Sequence, residues 1–253
     1  MKKLFVILFV MVSALNGFGW GATGHRATGL VAERYLSKKA KKKIDAILGG
    51  ESLAMVSNWM DEIRSDSTYN YTADWHWTTI PDGGKYEDVA SNPDGKVIMM
   101  IEKIIGELKR GGLSAKQEQE YLKMLVHMIG DMHQPLHVGK PGDRGGNDVK
   151  VKWFRNDSNL HRVWDSEMID DTKLSYTELA DALGKPGKDK LAKWQQGTVR
   201  DWALESVSYR PQVYDIGNGS LSYSYSYKYL PIAKERLLQA GIRLAALLNT
   251  IYG

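Results

Sequence analysis

One segment, positions 121–132, constrains the fold of this chain more than any other part of its sequence. It reads YLKMLVHMIGDM, and nearly every position in it is apolar. A helix that is apolar on all sides is normally buried on all sides, so the segment predicts a helix in the protein interior. Its polar residues Lys123, His127 and Asp131 recur every four positions and therefore form one stripe along that helix.

Apolar periodicity also predicts helices over most of the remaining chain. Leu53, Val56, Met60 and Ile63 recur at three- and four-residue intervals, which places them on one face of a helix. Further helices are predicted over residues 93–109, 114–132, 176–183, 188–207 and 231–250.

Strand signals are short. Residues 148–154 alternate apolar side chains with lysines, and residues 78–80 carry a weaker signal of the same kind. Glycine, asparagine and aspartate predict loops at 81–92, 139–147 and 155–159. The tyrosines of 223–230, YSYSYKYL, are expected to form an aromatic edge beneath the last helix. We therefore predict an all-α fold, a single mainly helical domain over residues 20–253 with a minor short β-hairpin.

The first nineteen residues predict export. Lys2 and Lys3 precede an apolar run from Leu4 to Val12 and a small residue at Gly19, which is the pattern of a secretory signal peptide. Cleavage after Gly19 would leave Trp20 as the N-terminus of a periplasmic or secreted protein. Because the chain has no cysteine, its stability has to come from its core, from bound metal or from both. Its net charge of +4 neither requires nor excludes a nucleic-acid partner.

All six histidines lie in four short clusters in the first two thirds of the chain. The clusters read WGATGH (20–25), DWHW (74–77), HMIGDMHQPLH (127–137) and NLHRVWD (159–165). His133, in the third cluster, has three possible roles: it could bind a metal ion, support a metal ligand, or simply pack at the end of the helix.

His127 and Asp131 share one face of the buried helix. Burying both without partners would cost roughly several kcal/mol, and two arrangements remove that cost: a shared metal ion or a hydrogen bond between the two side chains. His161 and Asp165 have the same spacing and allow two interpretations. Both could bind a metal ion, or His161 could cap a helix while Asp165 lies on the surface. With His137 they would supply two imidazoles and a carboxylate, the ligands of a hydrolytic zinc site.

Three further places in the sequence allow both a functional and a structural interpretation. Asp61 and Arg64 lie one helical turn apart, as in a site or in a surface ion pair. His76 lies between two tryptophans, as core histidines commonly do. If processing frees Trp20, its amine and carbonyl oxygen can chelate a metal ion, with His25 nearby.

In this order, the clusters closely resemble those of the secreted zinc-dependent single-strand-specific nuclease and 3′-nucleotidase family, whose fold the bacterial zinc-dependent phospholipases C share. The match runs from Trp20 to Asp165. The resemblance implies an enzyme with three zinc ions at the bottom of a cleft. It would hydrolyse single-stranded RNA and DNA to 5′-phosphate products through a metal-bound hydroxide, and it would act on 3′-nucleotides. We expect a monomer with no stable protein partner and no membrane anchor.

The resemblance assigns nine residues of this chain to the three zinc ions. The first ion would be held by Asp61, His76, His127 and Asp131. The second would be held by Trp20 and His25, with Asp131 bridging it to the first. The third would be held by His137, His161 and Asp165. Asp61 and Asp131 would thereby act in catalysis.

The resemblance also implies residues that contact substrate. Arg64 would neutralise charge on the phosphate, and Trp77 would stack an unpaired base, a contact that contributes roughly 1–3 kcal/mol. Thr79 replaces an aspartate with which the family hydrogen-bonds that base, so the base preference does not carry over. Asn147 lies in the glycine-rich segment 142–147, where it could contact substrate or could serve only to form the turn.

Two other functions remain open at this stage. A zinc-dependent phospholipase C would use the same ligands on phospholipid head groups, but Trp77 and Arg64 favour a nuclease because a base needs a stacking platform. A non-catalytic extracellular metal-binding protein would also retain the ligands, since ligands report metal binding and not turnover.

Overall fold

The computed structural model describes residues 20–253, and the predicted signal peptide, residues 1–19, lies outside the described residues. The prediction of an all-α fold is confirmed. The helices are α1 (Ala22–Tyr35), α2 (Lys38–Ile47), α3 (Leu53–Val56), α4 (Trp59–Glu62), α5 (Tyr86–Val89), α6 (Val97–Arg110), α7 (Ala115–His133), α8 (Leu160–Arg162), α9 (Met168–Asp170), α10 (Tyr176–Ala182), α11 (Lys188–Trp194), α12 (Val199–Ser208), α13 (Arg210–Val213) and α14 (Tyr223–Tyr252). The shorter turns are 3₁₀ at Ile63–Ser65, Ser67–Thr72 and Pro135–His137, and a π turn at Val163–Glu167.

Helix α7 is the buried helix that the sequence predicts. It begins after the N-cap Ser114, whose hydroxyl accepts a hydrogen bond from the Gln117 backbone while the Gln117 side chain bonds back to Ser114. This reciprocal cap satisfies backbone donors that a helix start leaves unpaired. Every residue from Leu122 to His133 is buried, and α7 packs against α6, α12 and α14. The polar stripe of α7 therefore lies inside the protein.

Helix α14 begins at Tyr223, and not at Pro231 as the sequence pattern predicted. Residues 223–230 are its first two turns, so the expected aromatic edge is wrong. Tyr225 and Tyr229, four residues apart, are buried, whereas Tyr223 and Tyr227 are 79% and 88% exposed. The alternation of tyrosine with polar residues fits a helical period of about four as well as a strand period of two.

Two predicted helices are interrupted. The helix expected over 53–63 is divided into α3 and α4, since the carbonyl oxygen of Ser57 accepts a hydrogen bond from His127 Nδ1 instead of continuing a helix. The helix expected over 188–207 is divided into α11 and α12 at Gly197, whose φ is +86°. Thr198 then caps α12 through a reciprocal pair of hydrogen bonds with Asp201.

Short strands bring distant segments together. Strand β1 (Thr78–Thr79) pairs in parallel with β2 (Val138–Gly139), with Thr78 opposite Val138. Strand β3 (Lys150–Trp153) pairs with β4 (Asn156–Asn159) as the predicted hairpin and with β5 (Ser220–Leu221) in parallel. The loop expected at 155–159 is therefore wrong, because pairing with β3 overrides the low strand propensity of a polar NDSN segment.

A buried polar network joins α7, α12 and α14. Arg236 and Arg243 of α14 both donate hydrogen bonds to Glu205 of α12. His133 Nδ1 donates to the Ile129 carbonyl, and its Nε2 accepts from Arg243 at 3.1 Å. Burial and the two arginine charges hold the pKa of His133 well below its usual range. His133 thus packs as a neutral residue at the end of α7.

We predict that Glu205→Ala lowers the free energy of unfolding by about 3–5 kcal/mol, because it leaves Arg236 and Arg243 buried without their carboxylate. The matched control is Glu235→Ala, which removes an exposed ion pair with Lys190 and should cost less than about 1 kcal/mol. Urea unfolding of both variants measures the difference, and equal losses would contradict this account of the network.

Candidate metal centre

The Asp131 carboxylate lies between three histidines. Its Oδ1 is 3.2 Å from His25 Nε2, and its Oδ2 is 3.0 Å from His76 Nδ1 and 3.1 Å from His127 Nε2. Asp131, His25 and His127 are fully buried. Because its two oxygens face different histidines, this carboxylate is placed where it can contact two cations at once.

Asp61 completes a second group on the other side of His127. Its Oδ1 lies 3.9 Å from His76 Nδ1 and 3.8 Å from His127 Nε2. Potential ligand atoms of Asp61, His76 and His127 lie within 4.8 Å of one another, and so do those of His25, His127 and Asp131. Separations of this size suit donors that surround an ion at about 2.0–2.2 Å.

His137, His161 and Asp165 form a third group. His161 Nε2 is 2.9 Å from Asp165 Oδ2, and His137 Nε2 is 3.7 Å from Asp165 Oδ1. The continuous turns of α8 and the π segment place His161 and Asp165 on one face, as their spacing predicts. Gln134, just after α7, donates a hydrogen bond of 2.6 Å to Asp165 Oδ1 and fixes that carboxylate.

Backbone carbonyls orient three of the histidines. His127 Nδ1 donates to Ser57 at 2.7 Å, while His137 Nδ1 and His161 Nδ1 donate to the carbonyls of His76 and Gly145, each at 2.6 Å. Each bond places the proton on Nδ1 and leaves Nε2 directed at a carboxylate. Such outer hydrogen bonds are the usual support of metal-ligating histidine.

The buried groups fit a metal ion because several of their atoms have no hydrogen-bond partner. These atoms are Nδ1 of His25, Nε2 of His76 and Oδ1 of Asp61, while His25 Nε2 and Asp131 Oδ1 lie 3.2 Å apart without a well-aligned hydrogen bond. Leaving polar atoms buried and unpaired costs roughly 1–3 kcal/mol each. Imidazole nitrogens together with carboxylate oxygens are the donor set that zinc prefers in hydrolytic sites.

Charges within the cluster shift the pKa values of its members. Burial lowers the pKa of His25, whereas for His127 the charges of Asp131 and Asp61 outweigh burial and raise the pKa to about 9. At His137, burial alone would lower the pKa, but the charges of Asp131 and Asp165 outweigh it and raise the pKa to about 9. For Asp131, burial would raise the pKa, but the charges of His127 and His137 hold it well below the usual range. The carboxylates thus attract cations, whether protons or metal ions.

One tryptophan and two glycines pack around these groups. Trp20 and Gly21 lie at the start of the described chain, and Gly130 lies in α7. Trp20 is fully buried, and the next residue, Gly21, donates its backbone N–H to the Asp165 carbonyl at 2.6 Å. The His25 ring stacks on His127, with centroids 4.1 Å apart. It can do so because α7 carries Gly130 there: a Cβ at this position would lie 2.8 Å from His25 Nδ1. The sequence analysis missed Gly130, although a glycine inside an apolar helix is a signal of close packing.

A cleft of about 300 Å³ opens above the third group and is lined by His137, His161, Arg64, Trp77 and Asn147. Arg64 Nη1 lies 3.7 Å from Asp61 Oδ1 and both side chains are mostly buried, so Arg64 links the cleft wall to the second group and the pair is more than a surface ion pair. Asn147 Nδ2 donates to the Arg144 carbonyl at 3.0 Å, so Asn147 both closes its turn and borders the cleft.

The profile of the family described as S1/P1 Nuclease matches residues 20–253. This chain belongs to the S1/P1 nuclease family. It is 31% identical to Endonuclease 4 of Arabidopsis thaliana over 287 residues, covering all of this chain and 96% of that protein. It is 28% identical to Nuclease S1 of Aspergillus oryzae, covering 92% of each chain, and 35% identical to Nuclease P1 of Penicillium citrinum over 159 residues, covering 59% and 58%. Membership of the family identifies this S1/P1 nuclease as a hydrolase.

We predict that Gly130→Ala lowers the metal content of the purified protein, since the added methyl group displaces the His25 ring from His127. Gly106→Ala is the matched control, because Gly106 also lies in a helix and a Cβ there meets no atom within 4 Å. Elemental analysis after dialysis measures both. Full metal content in Gly130→Ala would contradict the role given to His25.

Metal binding should release protons at neutral pH. A metal ligand has to be deprotonated, and His127 and His137 have pKa values of about 9 without metal. Zinc affinity should therefore rise as the pH increases towards about 9 and change less above it. Titration calorimetry at pH 7 in buffers of different ionisation enthalpy measures the released protons, and a titration at pH 9.5 serves as the control. Binding at pH 7 without proton release would contradict the assignment of these histidines.

Proposed function

We propose that this S1/P1 nuclease is a zinc-dependent endonuclease that hydrolyses single-stranded RNA and DNA to 5′-phosphate products and also acts as a 3′-nucleotidase. One observation carries the proposal: a single cleft combines His137 and His161 of the third metal-ligand group with Arg64 and Trp77. Phosphodiester hydrolysis needs cations at the phosphate, and recognition of an unpaired base needs an aromatic surface beside it.

The proposed zinc ligands are drawn from the three groups and from Trp20. One ion would be held by Asp61, His76, His127 and Asp131, a second by Trp20, His25 and Asp131, and a third by His137, His161 and Asp165. When bound, zinc supplies Lewis acidity and lowers the pKa of water. The assignment is supported by the partnerless buried atoms and by the position of Asp131 between His25 and the pair of His76 and His127.

Arg64 is proposed to bind and orient the phosphate. Its guanidinium borders the cleft and is held near Asp61. A guanidinium can donate to two phosphate oxygens together, which both positions the phosphate and offsets charge that develops on it during hydrolysis.

Trp77 is proposed to bind the base next to that phosphate. It follows His76 directly in the chain and is half-buried on the cleft wall, so its ring is held while one part remains accessible. Stacking on an aromatic ring tolerates any base but requires an unpaired one. A duplex, whose bases are stacked on each other, cannot use this contact without melting.

We further propose that the enzyme works outside the cytoplasm as a monomer, as one domain beginning at Trp20 after cleavage behind Gly19. The family profile spans the same residues, 20–253. None of the helices in that part of the chain is long and apolar enough to span a membrane.

The test uses protein whose N-terminus is verified as Trp20, with matched single-stranded and duplex oligonucleotides. Chelator-sensitive cleavage of the single strand leaving 5′-phosphates is expected. Asp131→Asn should lose at least about 100-fold in kcat/KM. Even replacing a residue that only hydrogen-bonds to a metal ligand lowers metal affinity or activity by about 10–100-fold. Asp45→Asn, the same substitution at a half-exposed carboxylate that pairs with Lys41 on α2, is the control.

Two results would contradict the proposal. Full activity of Asp131→Asn would refute the bridging role of Asp131. Cleavage of phospholipids, but of no oligonucleotide or 3′-nucleotide, by a zinc-loaded protein would replace the nuclease function with that of a phospholipase C.

A further inference from the structure

The cleft wall beside Trp77 carries an aspartate that no sequence motif indicated. Asp94 lies in the segment SNPDGK ahead of α6 and lines the same cleft as Trp77, Thr79 and Arg64. Asp94 is exposed and lies outside the three metal-ligand groups. A carboxylate in a cleft for polyanions needs an explanation, since it repels phosphate.

Asp94 is fixed to β1 by two hydrogen bonds. The Thr79 backbone N–H donates to the Asp94 carbonyl at 2.8 Å, and the Thr79 hydroxyl donates to Asp94 Oδ2, also at 2.8 Å. Further along, the Val97 N–H donates to the Trp77 carbonyl at 3.1 Å. The segment 94–97 therefore runs alongside 77–79, and Thr79 determines where the Asp94 carboxylate lies.

Gly95 makes this close approach possible. Its φ is +82°, and a Cβ at this position would lie 2.3 Å from the Trp77 carbonyl oxygen and 2.4 Å from Trp77 Cδ1. Any larger residue would push the segment away from the tryptophan. The Asp94 carboxylate is consequently held next to the residue on which a base is proposed to stack.

The free oxygen of Asp94 can only accept hydrogen bonds. The Thr79 hydroxyl takes one of the acceptor positions of Oδ2, and Oδ1 has no donor among residues 20–253. An ionised carboxylate accepts at both oxygens and donates at neither. A base matches it when its Watson–Crick edge presents N–H groups: guanine offers N1–H and N2–H side by side, whereas uracil offers a single N3–H between two carbonyl oxygens.

We propose that Asp94, positioned by Thr79, reads the Watson–Crick edge of the base stacked on Trp77 and makes the enzyme prefer guanine to uracil in the nucleotide whose 3′-phosphate reacts. This inference rests on the proposed function, because it needs a nucleotide in the cleft. Hydrogen bonds to base edges of unpaired nucleotides are the usual means of specific recognition in single strands.

The test compares 3′-GMP with 3′-UMP as substrates of the zinc-loaded enzyme. Wild-type kcat/KM should be about tenfold or more higher for 3′-GMP, a ratio in the range of one good carboxylate–base contact. In Asp94→Ala the ratio should fall towards about 1, chiefly through a higher KM for 3′-GMP. Thr79→Val, which keeps the carboxylate but removes its hydroxyl partner, should give an intermediate ratio, and Asp94→Glu should restore part of it.

Asp45→Asn removes a carboxylate of equal charge from α2 and should keep the wild-type ratio. Dissociation constants for guanosine and uridine, measured by calorimetry in the same variants, give a readout independent of turnover. The zinc content of each variant has to match that of the wild type, so that a change in ratio reports base binding and not loss of metal.

The outcomes separate this inference from the proposed function. An active wild type with equal kcat/KM for the two nucleotides, or an Asp94→Ala variant that keeps the wild-type ratio, would overturn the role of Asp94 and leave the nuclease function standing. A zinc-loaded wild type that hydrolyses neither nucleotide and cuts no single strand would overturn both.

Discussion

The structure depends on a cluster of ionisable side chains buried on one face of α7. Asp131 and His127 are fully buried, and His25 and His76 close around them from α1 and from the segment before β1. Several of their atoms have no hydrogen-bond partner, so protein contacts alone leave part of the desolvation cost unmet. A cation resolves this, since it satisfies imidazoles and carboxylates together. In a chain without cysteine, such an ion can fasten distant segments as disulfides do elsewhere.

The elements around the cluster fix the orientation of its histidines. Strands β1 and β2 are only two residues each, yet they align the chain so that the His76 carbonyl accepts from His137. The Ser57 carbonyl, at the interruption between α3 and α4, orients His127 in the same way. Irregular backbone therefore occurs where its carbonyls orient a clustered histidine, and the regular helices hold these short segments in place.

The sequence predicted what depends on local spacing. The burial of α7 and the pairing of His127 with Asp131 follow from a helical period within one segment. The convergence of His25 and Asp61 on that pair depends on tertiary packing, and only the family resemblance anticipated it. The same reason explains the errors: the break at Ser57 comes from a bond to a residue seventy positions away, and Asp94 reaches the cleft through Thr79 and Gly95, outside every recognisable motif.

The central claim is that the buried groups hold three zinc ions, with Asp131 shared between two of them. Anomalous diffraction at the zinc absorption edge, on crystals of protein beginning at Trp20, tests it most directly. We expect three anomalous peaks: two on either side of the Asp131 carboxylate and a third between His137, His161 and Asp165. A single peak, or two ions of which neither shares Asp131 with another, would contradict the account.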